Sequence, residues 1–351
     1  MSTINNEQSV GGDITADNTD NRSRVSVHFN GEGFEFFKIW IVNIFLSIIT
    51  LGIYSAWAKV RTKQYFYGNT EIDNGSFHYT AEPINILKGR IIAVAAFILY
   101  SVVSQFYPMA GLVLSIVFIF FIPWMVVNSL RFNAKNSVYR NISFNFTGSS
   151  MGAFQTFVLW PLLLIPTLGL ILPYLWYKQQ NYIISNSAYG TQEFEFDAKV
   201  GDYYKVLLFS FVGASILGVL SMAIVFSLGE EMGLFASVPV GIIGYVILFA
   251  YVLSALGNIY FNSTALANHG FMSNLKVINV GWIYFTNIVG IILTAGLFIP
   301  WAQVRMARYR AETLVVLVDG SLDGFIADVQ GDTSALGEEV GGMFDVDVSF
   351  V

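Results

Sequence analysis

The feature that most constrains this chain is a pair of long stretches that carry almost no charged side chain. One runs between Arg90 and Arg131, and the other covers residues 206–256, where only two adjacent glutamates interrupt it. Each stretch is divided near its middle, at Pro108 and at Gly229, and each half has about the 20 residues that cross a bilayer core. The sequence therefore predicts two membrane-spanning helical hairpins.

The composition excludes a soluble globule and several kinds of chemistry. Apolar residues make up 55% of the 351 residues and charged residues only 12%, whereas a soluble domain has about a quarter charged residues. A long helix in a soluble core would also show a polar stripe at a period of 3.6 residues. There is no cysteine, which excludes disulfide scaffolds, thiolate catalysis and thiolate metal sites.

Three other apolar segments, residues 36–58, 152–177 and 279–302, share one motif that aligns without gaps. The motif is Thr-x-Gly, followed at fixed offsets by Pro or Ala, an aromatic residue, a base and a tyrosine. The first copy has Thr50, Gly52, Ala56, Trp57, Arg61 and Tyr65; the second has Thr167, Gly169, Pro173, Tyr174, Lys178 and Tyr182; the third has Thr294, Gly296, Pro300, Trp301, Arg305 and Tyr309. This recurrence predicts an internal repeat.

Short alternating runs flank the motif copies and are typical of β-strands outside the bilayer. They cover residues 27–31, 77–81, 144–148 and 194–198. We therefore divide the chain into a disordered polar tail, two units of strand, motif helix, strand and helical hairpin, a third unit with a motif helix only, and an acidic tail. In that order these segments are residues 1–24, 25–130, 131–260, 261–310 and 311–351.

Two of these segments resemble a known bacterial family. Residues 33–43 and 50–61, together with the ending Leu336-Gly337-Glu338-Glu339-Val340, are similar to the inner-membrane family called YjgN or DUF898. The likeness covers nearly everything from Val25 onward. It implies a multi-pass protein of the inner membrane of a Gram-negative bacterium, without an assigned biochemical activity. We expect the C-terminus in the cytoplasm.

The motif has a functional and a structural interpretation. In a continuous helix Asn43, Thr50, Trp57 and Arg61 would form one polar and aromatic stripe, which Asn287, Thr294, Trp301 and Arg305 repeat. Such a stripe could line a path or a binding site for a small molecule or a lipid, and Arg61, Lys178 and Arg305 could hold a lipid phosphate. Alternatively, the motif only packs helices together and anchors them at the interface.

The motif segments either cross the bilayer or enter it and return. If they return, all 18 Lys and Arg lie on one side of the membrane, as the positive-inside rule prefers. If they cross, the cations are split, with Arg22, Arg24, Lys38, Lys178, Lys199, Lys205 and Lys276 on one side. We favour crossing, because non-helical backbone at bilayer depth needs protein or water around it. The predicted fold is an all-α polytopic membrane protein with about seven membrane helices built from three internal repeats.

We find no pattern of residues that predicts an enzyme, a metal site or a cofactor. The three histidines, His28, His78 and His269, are far apart and none has a second ligand at metal-binding spacing. Basic clusters beside the apolar segments fit anionic lipid headgroups rather than nucleic acid. We therefore expect a non-enzymatic protein that binds or transports a small molecule or lipid through a site lined by the motif. The alternative is a scaffold or envelope-assembly component without transport activity.

Overall fold

Ten short β-strands form a closed barrel in the computed structural model, which describes residues 22–331 of the chain. All neighbouring strands are antiparallel, each strand pairs with the next along the chain, and β10 closes the barrel on β1. The strands are β1 (Ser23–Phe29), β2 (Thr70–Ile72), β3 (Gly75–Tyr79), β4 (Ser137–Tyr139), β5 (Ile142–Phe146), β6 (Ser187–Tyr189), β7 (Gln192–Phe196), β8 (Thr264–Leu266), β9 (His269–Ser273) and β10 (Leu314–Val318).

Five helical hairpins connect the strands. The first, third and fifth are short and contain the motif copies, and the second and fourth are long. Their helices are Gly33–Ile49 and Ser55–Gly68; Pro83–Phe106 and Pro108–Lys135; Ser150–Phe154, Gln155–Leu159, Trp160–Leu162 and Leu172–Ser185; Val200–Leu228 and Glu230–Asn262; Val277–Leu293 and Ile299–Glu312.

All five hairpins leave the barrel at the same end. Each one joins two strands that are antiparallel neighbours, so the chain returns to the end from which it left. The tight turns between β2 and β3, β4 and β5, β6 and β7, and β8 and β9 lie at the opposite end. We call these the helical end and the turn end of the barrel.

The prediction of two membrane-spanning hairpins is supported by the long pair. Their four helices have 24 to 33 residues and are the ones, within residues 22–331, that are long and apolar enough to cross a membrane. The side chains at the tip of the second hairpin are largely exposed, among them Phe106, Tyr107 and Met109. By length and composition these four helices can cross a membrane, and lipid is the environment that accepts such a surface.

The prediction of an all-α fold with about seven membrane helices is wrong. The strands are not isolated loop segments, since they close into a ten-stranded barrel. The three motif segments do not continue as single helices. The outgoing helix stops before the motif threonine in each, with Thr50 and Thr294 as C-caps in the first and third copies and an earlier end at Leu162 in the second, and a second helix returns to the barrel. The fold is an antiparallel barrel that carries five helical hairpins on one end.

The Thr-x-Gly sequence builds the turn of the first short hairpin. Leu51 has a φ of 49° and Gly52 a φ of 90°, which reverses the chain after Thr50. The N–H of Gly52 donates to the carbonyl of Ser47 at 2.7 Å and the N–H of Leu51 to Ile48 at 3.1 Å, the pattern of a Schellman C-cap. A φ of 90° is accessible to glycine and strained for any other residue.

The threonine side chain completes the hydrogen bonding of this turn. Thr50 Oγ1 donates to the carbonyl of Leu46 at 2.7 Å and accepts from the N–H of Tyr54 at 2.9 Å. The N–H groups of Ile53 and Ser55 donate to Thr50 and Gly52. Every backbone N–H from Thr50 to Ser55 is therefore bonded within the turn. Irregular backbone at bilayer depth would need this, because hydrocarbon offers no hydrogen-bond partner.

The other two short hairpins turn in the same way. Gly169 and Gly296 have φ values of 84° and 93°, and each N–H donates to the carbonyl five residues earlier at 2.8 Å. The side chains beside the three turns are apolar and exposed, with Leu51 at 95%, Leu168 at 91% and Leu293 at 80%. Such tips fit hydrocarbon rather than water.

Two strands of the barrel extend into the segments predicted as tails. The barrel begins at Ser23, inside the segment assigned to the N-terminal tail, and β10 lies inside the segment 311–351 assigned to the acidic tail. A helix follows over residues 322–331 and is called the capping helix below. The remaining parts of both predicted tails, including the segment 336–340 that resembles the family, lie outside the described residues.

Candidate functional site

Each strand contributes one apolar side chain to a single inward layer of the barrel. The five antiparallel pairs in this layer are Val27 with Ile72, Phe77 with Tyr139, Phe144 with Tyr189, Phe194 with Leu266, and Phe271 with Val316. Alternation along a strand places such residues on one face. All of them except Val27, which packs in a buried cluster with Phe29, line the lumen.

Four phenylalanines of this layer form a belt around the lumen. The ring centroids of Phe77 and Phe144 are 6.5 Å apart, those of Phe144 and Phe194 are 6.3 Å apart, and those of Phe194 and Phe271 are 6.4 Å apart. The rings line the wall without filling the barrel. They surround an apolar cavity of about 390 Å³, a volume typical of small-molecule sites.

The two ends of the cavity differ. At the helical end it is lined by residues at the bases of the third, fourth and fifth hairpins, namely Ile184, Ser187, Tyr260, Phe261, Thr264 and Leu314. At the turn end the capping helix closes it with Leu322, Phe325 and Ile326. The lumen is therefore sealed by protein at the turn end and bordered by hairpin bases at the helical end.

Arg140 fastens the capping helix to the turn end. Its guanidinium bonds the carboxylates of Asp73, at 3.1 Å, and Asp323, and its carbonyl accepts from Gln330 Nε2 at 3.1 Å. Two of these contacts are with the helix and one is with the β2–β3 turn. The arginine thus bridges the barrel and its cap.

Two tyrosines of the lumen wall are hydrogen-bonded to backbone carbonyls. Tyr139 donates its hydroxyl to the carbonyl of Ile72 at 2.7 Å, and Tyr189 donates to the carbonyl of Tyr139 at 3.0 Å. Burial raises the pKa of both tyrosines, so both stay protonated. The cavity is therefore suited to an apolar group rather than an ion.

His269 lies where the capping helix meets the barrel. Its side chain is buried, its Nδ1 accepts from the N–H of Asp319 at 3.1 Å, and its ring contacts the edge of Phe325 at 4.5 Å. Burial lowers the pKa of His269, and the charge of Arg22 acts in the same direction, whereas Asp319 partly opposes it. The imidazole is neutral at neutral pH. No group of residues that could hold a metal ion occurs within residues 22–331.

The motif tyrosines lock the bases of the short hairpins. Tyr65 bonds the backbone of Glu32, Tyr182 donates to the carbonyl of Ser149 at 2.8 Å, and Tyr309 accepts from the N–H of Lys276 at 3.0 Å. The partner is in each case the residue before the first helix, 33 positions earlier. Each tyrosine thus joins the returning helix of its hairpin to the start of the outgoing helix.

The motif aromatics and bases also contact protein. Trp57 stacks on Tyr54 at 6.1 Å, and Arg61 faces the same ring. In the third hairpin Tyr174 packs on Trp160, and Lys178 lies over Tyr174 at 5.4 Å.

The fifth hairpin packs against the first. Trp301 lies 5.1 Å from the ring of Phe37 and occupies the space that a side chain at Gly33 would need. Arg305 donates to Thr286 at 3.1 Å and to Asn287 at 2.8 Å. Arg61, Lys178 and Arg305 therefore each contact their own hairpin, and within residues 22–331 their described contacts do not form a shared site.

The two asparagines predicted at the motif stripe are both buried, but they differ. Asn287 is bonded to Arg305 and to the carbonyl of Ala302, whereas the amide of Asn43 has no hydrogen-bond partner within the described residues. The motif thus supplies turns and clamps, together with one open polar cleft around Asn43.

Sequence reasoning did not find the lumen. The signal was present in the alternating runs, because Val27, Phe77, Phe144 and Phe194 are the first residues of the four predicted strand runs and all belong to the inward layer. Closure of ten strands into one barrel cannot be inferred from such short runs alone.

These features define a class: a polytopic membrane protein with an apolar-lined barrel at the base of its membrane hairpins. A family model described as "Bacterial protein of unknown function (DUF898)" matches residues 24–343, and the chain belongs to that family. No solved structure matches the chain.

Curated relatives agree with this assignment. The chain is similar to "Inner membrane protein YjgN" of Salmonella typhimurium (strain LT2), at 24% identity over 87% of this chain and 90% of that protein. It is also similar to the proteins of the same name from Escherichia coli O157:H7 and Escherichia coli strain K12. Both are 31% identical over 41% of this chain and 36% of their own length, so these two matches cover about a third of the relatives.

Proposed function

We propose that this protein is an inner-membrane lipid-binding protein that takes an apolar chain into its barrel, as a step in holding or moving that lipid. The observation that carries the proposal is a cavity of about 390 Å³ lined by nine of the ten side chains of the inward layer. In this proposal the ligand lies in the barrel and not at the motif turns. The motif residues keep the role of shaping the hairpins that stand around the entrance.

Energetics support an occupied lumen. At about 24 cal/mol per Å³, a fully enclosed and empty apolar space of 390 Å³ would cost at most roughly 9 kcal/mol, and the opening at the helical end lowers that cost. That is comparable with the entire stability of an ordinary domain, about 5–15 kcal/mol. Water does not relieve this cost, because a water molecule needs two to four polar partners and the lumen wall offers few. An acyl chain would fill the space with dispersion contacts.

The entrance is at the helical end. Ile184, Tyr260 and Phe261 lie at the bases of hairpins whose outer surfaces are apolar, and the capping helix blocks the turn end. A chain that leaves the bilayer between hairpin bases can reach the lumen without passing through water. This arrangement favours a membrane lipid over a solute from the aqueous phase.

We place the barrel and the C-terminus in the cytoplasm. In the re-entrant arrangement the basic residues lie in the barrel or near the hairpin bases, whereas the tip of the fourth hairpin carries Glu230 and Glu231. The positive-inside rule then orients the molecule. We further propose that the three short hairpins are copies of one repeat, because the same turn and the same tyrosine clamp occur in each.

The test is lipid retention by variants that fill the lumen. The whole protein is purified in detergent, and bound lipid is measured by native mass spectrometry. We expect one acyl lipid on the native protein, loss of it in Leu266→Trp and Val316→Phe, and retention in the control Glu195→Trp, whose side chain is exposed on the outer wall. Equal lipid content in all four proteins would overturn the proposal.

A scaffold without lipid transfer is the second candidate. It is favoured by the finding that motif tyrosines and threonines bond their own chain. In that case the lumen-filling variants would retain the function of the protein in the cell, and any growth or envelope phenotype of a deletion would be rescued by Leu266→Trp as well as by the native chain.

A further inference from the structure

Asn43 and Asn287 occupy the same position in two short hairpins, seven residues before the motif threonine. Both are about 95% buried, with exposures of 5% and 6%. An amide at this depth must find partners, because an unsatisfied buried amide is costly. The two hairpins meet that requirement differently.

The fifth hairpin satisfies its asparagine internally. Arg305 donates to the Oδ1 of Asn287 at 2.8 Å, and the Nδ2 donates to the carbonyl of Ala302 at 3.3 Å. In the first hairpin both polar atoms of Asn43 are without a partner within the described residues. Arg61, the counterpart of Arg305, instead lies over the ring of Tyr54 at 5.9 Å.

A cleft with a volume of about 570 Å³ lies between the two helices of the first hairpin. Its lining includes the polar side chains of Asn43, Ser47, Ser55 and Thr62 and the cations Lys59 and Lys63. The buried, unpartnered amide of Asn43 lies in its wall. The cleft therefore offers hydrogen-bond donors and positive charge at one place.

Positive charge in the cleft is not balanced by carboxylates. Lys63 donates to the neutral amide of Asn133 at 2.7 Å, and Arg90 reaches in from the second hairpin to bond Ser55. The residues that line the cleft include no acid. Within residues 22–331, Lys59, Lys63 and Arg90 do not take part in an ion pair. An anion here would gain charge-assisted hydrogen bonds.

One wall of the cleft is apolar and faces outward. Ile48, on the first helix of the hairpin, is 69% exposed and lies one turn from the re-entrant tip. The same cleft thus presents cations toward the barrel and an apolar edge toward the membrane. That is the distribution of charge in a phospholipid, with its phosphate at one end and its chains at the other.

We infer that this cleft binds a phosphate-bearing anionic headgroup, with the Asn43 amide donating to a phosphate oxygen and Lys59 and Lys63 neutralising the charge. The site is independent of the barrel lumen and does not need the proposed acyl-chain binding. Within residues 22–331 the third hairpin has Trp160 in place of the asparagine, and the fifth fills the position with its own arginine. Among the three short hairpins, the first is therefore the one that has a buried asparagine without a partner within residues 22–331.

The test measures binding of the full chain to nanodiscs or micelles containing phosphatidylglycerol, with phosphatidylcholine as the neutral comparison. We expect Asn43→Leu, and Lys59→Gln combined with Lys63→Gln, to weaken binding of phosphatidylglycerol but not of phosphatidylcholine. For the double lysine variant the loss should be roughly 30-fold, from the attraction of two bases near a membrane surface. The control is Lys199→Gln with Lys205→Gln, at the base of the fourth hairpin.

Inorganic phosphate distinguishes the sources of the anion. If it displaces phosphatidylglycerol, the site recognises phosphate itself; if it does not, the headgroup is bound together with its chains. Equal losses in the cleft variants and in the Lys199 and Lys205 control would show general charge attraction and overturn the inference. So would native affinity in Asn43→Leu, which removes the unpartnered amide. Lipid bound in the lumen is measured separately by native mass spectrometry. The lumen proposal and the cleft proposal can therefore each be contradicted without the other.

Discussion

The hydroxyl of Tyr65 forms two hydrogen bonds with one residue, Glu32, accepting from its N–H at 2.7 Å and donating to its carbonyl at 2.8 Å. This pair joins the returning helix of the first short hairpin to the start of the outgoing one. Because the turn at the other end is hydrogen-bonded internally, the hairpin is closed at both ends. It can therefore enter a bilayer and return without an unbonded turn.

Removal of this clamp should destabilise the protein. Tyr65→Phe breaks both bonds and leaves the Glu32 N–H without that partner, which we expect to cost about 1–3 kcal/mol of unfolding free energy. Denaturant unfolding in detergent measures the change. Tyr107→Phe, at the exposed tip of the second hairpin, serves as the control and should change nothing. Equal stability of the two variants would contradict the clamp.

The re-entrant turn depends on Gly52 and Thr50. Gly52→Ala places a side chain at a φ of 90° and should cost at least 1–2 kcal/mol, roughly the penalty for left-handed backbone. Thr50→Val removes the acceptor of the Tyr54 N–H, and in the proposed re-entrant arrangement no water would replace it. Thermal unfolding should fall for both. Gly218→Ala, inside a long helix with open space around it, should be neutral or stabilising.

The capping helix should loosen when Arg140 is replaced. Arg140→Ala removes the ionic bridge from Asp73 to Asp323 and leaves the helix held by its apolar face. We expect faster amide hydrogen exchange in residues 322–331, with little change in the long hairpins. Lys205→Ala breaks an exposed ion pair elsewhere and should leave that exchange unaltered. Unchanged exchange in Arg140→Ala would mean that apolar packing alone holds the cap.

Acid should weaken the same contact through His269. Its folded pKa lies below the unfolded value of about 6.5, so its contribution to stability is complete above that pH and is lost as the pH falls through the lower folded pKa. Protonation also occupies the Nδ1 that accepts from Asp319. Unfolding measured from pH 7 to pH 5 should show a decline that His269→Gln reduces. An identical decline in both proteins would assign it to other groups.

Several features of this fold follow from the sequence. The uncharged stretches around Pro108 and Gly229 form the two long hairpins, and the family resemblance is confirmed. The positions of the re-entrant turns coincide with the predicted motif, because Gly at a fixed place marks a chain reversal. The sequence pattern did not indicate the role of the threonine, whose hydroxyl satisfies the N–H of Tyr54 within the turn.

The barrel could not be predicted from sequence patterns, for a different reason. Strands such as Thr70–Ile72 and Thr264–Leu266 have three residues, too few for an alternating pattern to emerge. Their pairing partners lie across helical hairpins, and β1 pairs with β10 almost 300 residues away. Only closure brings Phe77, Phe194 and Phe271 around one lumen. The candidate site therefore arises from tertiary structure rather than from any local motif.

The central claim is that every strand lies on one side of the membrane, and single cysteines test it most directly because the chain has none of its own. Ser143→Cys and Glu193→Cys lie on exposed strand positions on either side of the third hairpin. With an impermeant thiol reagent, both should be protected in intact cells and labelled after permeabilisation, whereas Glu230→Cys at the tip of the fourth hairpin should be labelled from outside. Labelling of Ser143→Cys and Glu193→Cys from opposite sides would contradict the re-entrant barrel and restore seven crossings.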